Sequence, residues 1–284
     1  MQEMQSLQDD EILHLGTDDY RESLVLLTPD GHASKFIWDY FPPSNACPMK
    51  QKLGSESRTG DHGKWVCGVQ TLLQRPGCVV YSIGSGGLTA FEHEAARKTR
   101  CEVHIFDPTL SLGKQQELGR VKEFSFHNVG LTGEGIKGKA ITAELFPKLD
   151  MQPLSGMMAA LGHEWIDVLK VDVEGLEWPI MDSWLAAWDV LPFTQLQVEL
   201  HCKQCYKWHP RDGSTTQPRP SHMLHILQQL QQRGLRVFHV EPNLWWGNEK
   251  AEYMEFAFIQ VDKAGQIVSS KSAARKKSKQ SQVA

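Results

Sequence analysis

The run Val79-Val80-Tyr81-Ser82-Ile83 leads directly into Gly84-Ser85-Gly86-Gly87. β-Branched and aromatic residues bounded by glycine make a buried strand. A tight turn alone needs one glycine, and three in four positions ask for more. Without a Cβ the backbone can take positive φ and approach another group closely. The turn therefore predicts a ligand lying against the main chain. A helix starting near Leu88 would offer that ligand its free N–H groups.

The same unit recurs along the chain. Further strands are predicted at Cys101–Asp107, Glu123–Gly130, Ile166–Gly175 and Phe193–His201, with helical segments such as "TAFEHEAARKT" and "PIMDSWLAAWDVL" between them. Strand alternating with helix gives a parallel sheet covered on both faces. An amphipathic helix, "MLHILQQLQQRG", then precedes "LRVFHVEP" and "EYMEFAFIQVD", two strands with no room for a crossover helix. Such strands pair antiparallel. The expected fold is α/β, a mostly parallel sheet ending in a C-terminal antiparallel hairpin. Three regions are expected: an arm over 1–50, a folded domain over 51–262 and a basic, disordered tail over 263–284.

In such a sheet a ligand lies beyond the carboxyl ends of the strands. Gly84 and Gly86 fit the first two positions of a dinucleotide fingerprint, but Thr89 stands at the third. The second strand adds Asp107, 23 residues beyond Gly84, where an acid suits ribose hydroxyls. Asp107 could equally be a turn residue before Pro108. An adenosine-type ligand is predicted, with Gly84, Ser85, Gly86 and Asp107 against it. The net charge of −4 gives no reason to expect a nucleic-acid partner, and no apolar run approaches a membrane span. The N-terminus is polar and acidic, unlike a signal peptide. The chain as it stands is expected to be cytoplasmic, or in the secretory pathway if an anchor has been removed.

The segments "GDHGKWVC", "VYSIGSGG", "HIFDPT", "HNVGL", "IDVLKVDVEGLEW" and "LQVELH", in this order over about 60–201, resemble the FkbM-like branch of S-adenosylmethionine-dependent methyltransferases. The resemblance is closest to that branch's eukaryotic methyltransferase-like proteins. It implies a Rossmann-like seven-stranded methyltransferase sheet, S-adenosyl-L-methionine as cofactor and methyl transfer to oxygen. His62 stands where the branch tends to carry glycine. Serines stand where many methyltransferases carry an acid before the glycine turn, and Glu92 could take over some of that polar work.

Methyl transfer from a sulfonium requires alignment of donor and acceptor and removal of a hydroxyl proton. Asn128 could lie beside an adenine edge, or belong to a turn at Asn128-Val129-Gly130. Asp172 and Glu174 fall on one side of a strand end by the period of two. They could orient the cofactor, accept the proton or cap the next helix, and Glu177 could face the same way. Glu199 and His201 alternate to one side of the fifth strand. His201 is the expected general base, with Glu199 orienting it or the acceptor, and a packed polar residue at the strand end is the other reading. No metal is assigned, although Asp172, Glu174, Glu199 and His201 include oxygen ligands that could hold a divalent cation. Cys202 and Cys205 have the spacing of a zinc half-site, with His209 as a third ligand and no second half. Cys78 and Cys101 are expected to be buried thiols. Cys47 and Cys67 flank segments that carry the resemblance and would pair in an exported protein. Trp65 is expected as a wall over the cofactor or substrate, and Trp245 and Trp246 as a wall for a sugar or aromatic acceptor. The expected partner is a small-molecule or glycan acceptor. A nicotinamide-dependent oxidoreductase and a non-catalytic binding protein on the same fold are the competing readings.

Overall fold

The computed structural model describes residues 41–54, 63–134, 149–201, 220–243 and 253–270. The expectations for His62, Cys202, Cys205, His209, Trp245, Trp246 and the far tail lie outside these residues.

The first described strands, β1 (Lys50–Leu53) and β2 (Lys64–Cys67), form an antiparallel pair ahead of a short helix, α1 (Val69–Leu73). The central units follow in order: β3 (Val79–Ile83), α2 (Ala90–Thr99), β4 (Glu102–Phe106), α3 (Leu112–Leu118) and β5 (Ser125–His127). A two-stranded parallel sheet, β6 (Gly130–Thr132) with β7 (Met151–Pro153), leads to α4 (Leu154–Leu161). The chain continues through β8 (Ile166–Val171), α5 (Glu177–Ala187), β9 (Phe193–His201), α6 (Pro220–Gln232), β10 (Leu235–Pro242) and β11 (Tyr253–Gln260). Seven strands share one sheet in the order β10-β11-β9-β8-β3-β4-β5, parallel except where β11 pairs antiparallel with β9 and β10. This is the expected α/β sheet with its C-terminal antiparallel hairpin.

Side-chain alternation on the central strands divides the core. Val80, Val103 and Val168 face one layer, where Val69, Leu72, Phe91 and Ala95 cover them. Tyr81, Ile83, Phe106, Leu169 and Val171 face the other, with Trp178, Trp184, Met181 and Leu227. Each fully buried aliphatic side chain contributes about 1.5–3 kcal/mol. Strands buried on both faces explain why these runs are continuously apolar rather than alternating.

Three sequence expectations change. The strand expected over Glu123–Gly130 breaks into β5 and β6, because Ser125–His127 pairs with β4 while Gly130–Thr132 turns away to pair with β7. Cys78 and Cys101 are joined as a disulfide rather than remaining thiols. They immediately precede the first paired residues of β3 and β4, Val79 and Glu102, so the parallel register sets their Cα atoms 4.7 Å apart. Cys47 and Cys67 form a second disulfide. Trp65 does not wall the central cavity. By the strand's period of two it faces away from Lys64, packing on His239 at 4.4 Å and donating Nε1–H to Glu241 at 3.0 Å. No helix among the described residues is long and apolar enough to cross a membrane.

Candidate active site

The register places four strand ends level: Ile83 pairs with Phe106 and Val171, and Val171 with Val198. The residues that follow, Gly84, Asp107, Asp172 and Glu199, therefore gather at one edge of the sheet. A cavity of about 500 Å³ opens there, lined by Gly84, Ser85, Gly86, Phe91, Glu92, Asp107, Leu131, Lys170, Asp172 and Glu174 among others.

The glycines have separate reasons. At Gly84, φ is +79° and a Cβ would lie 1.7 Å from the carbonyl oxygen of Asp172. The room there is taken by the neighbouring strand, not by a ligand. Gly86 also has positive φ, but a Cβ there would meet nothing within 4 Å. Asp107 holds the turn closed. Its Oδ2 accepts from Ser85 N at 3.0 Å, Ser85 Oγ at 3.2 Å and Gly86 N at 2.9 Å, while Oδ1 accepts from Thr109 N at 3.0 Å and Thr109 Oγ1 at 2.6 Å. The expected ribose ligand is thus also the brace of the glycine turn. Asn128 is exposed and is not among the lining residues, whereas Gly130 and Leu131 are.

Ser82 stands where an acid was absent from the sequence, and its hydroxyl donates to Glu92 Oε1. Glu92 is fully buried in the cavity wall, and its Oε2 has no hydrogen-bond partner among the described residues. A buried carboxylate oxygen without a donor is costly, so this atom marks where a donor is wanted. The carboxylate missing from the strand comes instead from α2, ten residues later than Ser82.

A second group of charges lies on the Asp172 side. The buried Lys64 ammonium contacts Glu255 directly and lies 3.7 Å from both Asp172 Oδ2 and Glu199 Oε2. Burial disfavours its charge, but Glu255, Asp172 and Glu199 outweigh that and raise its pKa. Lys170 donates to the Gly84 carbonyl and lies 3.9 Å from Asp172 Oδ2. Burial alone would raise the Asp172 pKa. Lys64, Lys170 and His201, with a hydrogen bond to Glu199, reverse the shift and hold it below the usual carboxylate range. Glu199 is pushed the other way by burial and by the Asp172 and Glu255 charges. Of this pair, Asp172 carries the charge and Glu199 the proton. Asp172, Glu199 and His201 also bring one ligating atom each within 4.8 Å of one another, and the Lys64 ammonium lies beside two of them.

Sequence reasoning missed the roles of Lys64, Lys170 and Glu177. Glu177 is fully buried and folds back from the first turn of α5. It accepts from Val173 N at 2.9 Å, from Gly175 N at 3.0 Å and from His201 Nδ1 at 2.9 Å. Burial opposes the charge on His201, but the Glu177 hydrogen bond and charge, with Glu199 and Asp172, lift its pKa to about 9. At neutral pH His201 is an imidazolium with no lone pair to accept a proton, which counts against it as general base. The sequence signal for Lys64 was present: it lies next to Trp65 in "GKW", and the period of two turns one of them inward. Glu174 lines the cavity, but it sits at φ +56° beyond the end of β8 and its side chain is mostly exposed.

A family model described as a methyltransferase domain matches residues 20–260, and the chain belongs to that family. "Probable methyltransferase-like protein 24" of Rattus norvegicus is 26% identical over 227 residues, 76% of this chain and 59% of its own length. The Homo sapiens protein of that name is 27% identical over 169 residues, 59% of this chain and 43% of its own. The chain thus spans about half the length of these curated relatives. Among solved structures, "Crystal Structure of 16S rRNA Methyltranferase KamB" aligns with a TM-score of 0.37 and 12% identity, over 75% of this chain and all of that one. The cofactor of the domain is S-adenosylmethionine. The site fits it: the cavity is large enough for a nucleoside cofactor, and Glu92 Oε2 supplies an acceptor with no partner of its own.

Proposed function

We propose that this member of the methyltransferase-domain family methylates a hydroxyl oxygen of a small molecule or glycan. The reading is carried by the Asp172 carboxylate, kept ionised in the cavity wall by Lys64 and Lys170. S-adenosylmethionine supplies an electrophilic methyl group on a sulfonium. The turn at Gly84-Ser85-Gly86, braced by Asp107, forms the wall against its nucleoside. Glu92 Oε2 suits the ammonium of its amino-acid end, a charge-assisted pairing. Asp172 accepts the hydrogen bond of the acceptor hydroxyl and orients it, a proton acceptor weakened by Lys64 and Lys170, whose charges in turn stabilise the oxygen as the proton leaves. His201, Glu177 and Glu199 hold the Asp172 region in place, and Glu174 at the mouth meets the acceptor.

The folded domain is assigned to 51–262, with an arm at 1–50 and a tail at 263–284. The disulfides Cys47–Cys67 and Cys78–Cys101 favour an oxidising compartment. Membership of the family sets aside the nicotinamide oxidoreductase. The test is transfer of a radiolabelled methyl group from S-adenosylmethionine into an extract of the source cells, followed by fractionation. Base-stable label on oxygen in glycan or small-molecule fractions is the expected result. Label on RNA or on nitrogen would overturn the acceptor class, and cofactor binding without any turnover would indicate a non-catalytic binder.

A further inference from the structure

A second cluster of ligating groups lies away from the cavity lining, on the face of the sheet that α4 approaches. Glu102 opens β4, His104 lies two residues along the same strand face, and His163 follows the Gly162 cap of α4. One ligand atom from each lies within 4.8 Å of the others. His104 Nε2 is 3.0 Å from Glu102 Oε1, and His163 Nε2 is 3.6 Å from Glu102 Oε2.

Two further observations point to a ligand. His104 is 2% exposed, and among the described residues its buried Nε2 makes no well-formed hydrogen bond beyond the close approach of the Glu102 carboxylate. Both imidazoles are also held from behind through their other nitrogen. His104 Nδ1 is 3.0 Å from His127 Nε2, and His163 Nδ1 is 2.7 Å from the Tyr81 hydroxyl. With the protons on Nδ1, both Nε2 lone pairs face Glu102. Orientation of a ligating histidine through its far nitrogen is the usual outer-shell arrangement of metal sites.

We propose that Glu102, His104 and His163 form a binding site for one divalent transition-metal ion of the zinc class. Two imidazole nitrogens and a carboxylate suit Zn²⁺, with water in the fourth position. Ligand atoms on a tetrahedral zinc stand ~3.3 Å apart, so the three groups need only small side-chain movements. The exposed Glu102 side chain gives the ion an entry path from solvent. The ion would clamp the end of α4 to β4. Its cluster also adjoins the cavity through Phe106, whose ring is 4.9 Å from Tyr81 and stacks on His127.

The test is metal stoichiometry of the full chain after incubation with Zn²⁺ and gel filtration, together with the visible spectrum of the Co²⁺ form. One tightly held equivalent and tetrahedral Co²⁺ bands are expected. Glu102→Gln and His163→Gln, at positions that reach solvent, should fold and lose that equivalent, and Tyr81→Phe should weaken binding roughly 10-fold. Thermal melting of each variant establishes that it is folded. Three results would overturn the proposal: no retained metal, metal retained in both folded variants, or metal lost only with Cys202→Ser and Cys205→Ser or with Asp172→Asn.

Discussion

The carbonyl oxygen of Asp172 occupies the place where a side chain at Gly84 would begin, 1.7 Å from an ideal Cβ. The glycine turn and the acidic turn are thus fitted to each other, and one residue type satisfies that fit. Gly84→Ala combines overpacking against backbone, about 1–3 kcal/mol, with a left-handed φ that costs a side chain about 1–2 kcal/mol. Gly86→Ala incurs only the second cost, since nothing lies within 4 Å of its Cβ. Thermal melts should show a larger drop for Gly84→Ala than for Gly86→Ala, roughly twofold at the middle of these ranges. Equal drops would mean the two strand ends are not in this contact.

Glu92→Gln should leave folding nearly unchanged, because a glutamine oxygen can still accept from Ser82. The same change removes the charge offered by Oε2. A charged hydrogen bond contributes about 1.5–3 kcal/mol, so affinity for S-adenosylhomocysteine should fall about 10- to 100-fold by calorimetry. Unchanged affinity would remove Glu92 from the cofactor's site.

Asp172→Asn keeps the shape of the site and abolishes its proton acceptor. Turnover should fall about 10²–10⁴-fold, with cofactor binding reduced far less. His201→Gln should reduce turnover less than Asp172→Asn. The reverse ranking in single-turnover assays would return the base to His201.

Proton linkage gives a signed prediction for stability. His201 titrates near 9 in the folded protein and near 6.5 when unfolded, so between these values the folded state binds more protons. Its contribution is complete below about pH 6.5 and is lost as pH rises to 9, a change of about 3 kcal/mol. The raised Glu199 acts in the same direction. The lowered Asp172 acts in the opposite one, losing its contribution as acid protonates it. Denaturant melts from pH 6.5 to 9 should show falling stability, with a shallower fall in His201→Gln. A flat wild-type profile would contradict the charged His201.

Cys47–Cys67 closes a separation of 20 residues and should contribute roughly 3 kcal/mol. Cys47→Ser should lower the melting temperature in non-reducing buffer and remove most of the wild type's sensitivity to reductant at this bond. No difference between Cys47→Ser and wild type would mean the bond is absent in solution.

Much of the sheet was legible because its signals are local. Apolar runs, glycine turns and the missing crossover before "EYMEFAFIQVD" fix strands, ends and hairpin without knowledge of tertiary contacts. The limits appear where a residue's role depends on a distant partner. Asp107 was expected to face a ribose, but its oxygens also tie down Ser85, Gly86 and Thr109. Cys78 and Cys101 were expected to be thiols, because only the parallel register reveals them as neighbours. His201 was expected to be a base at an ordinary pKa, and Glu177, 24 residues away in sequence, changes its charge. Burial and pairing set these properties, and neither is written in the local sequence.

The central claim is that the cavity between the glycine turn and Asp172 holds the methyl donor. A crystal structure of the full chain with S-adenosylhomocysteine tests it most directly. Density for the nucleoside is expected beside Gly86 and Asp107, with the amino-acid end at Glu92. Density at any other place on the molecule, or none at saturating ligand, would contradict it.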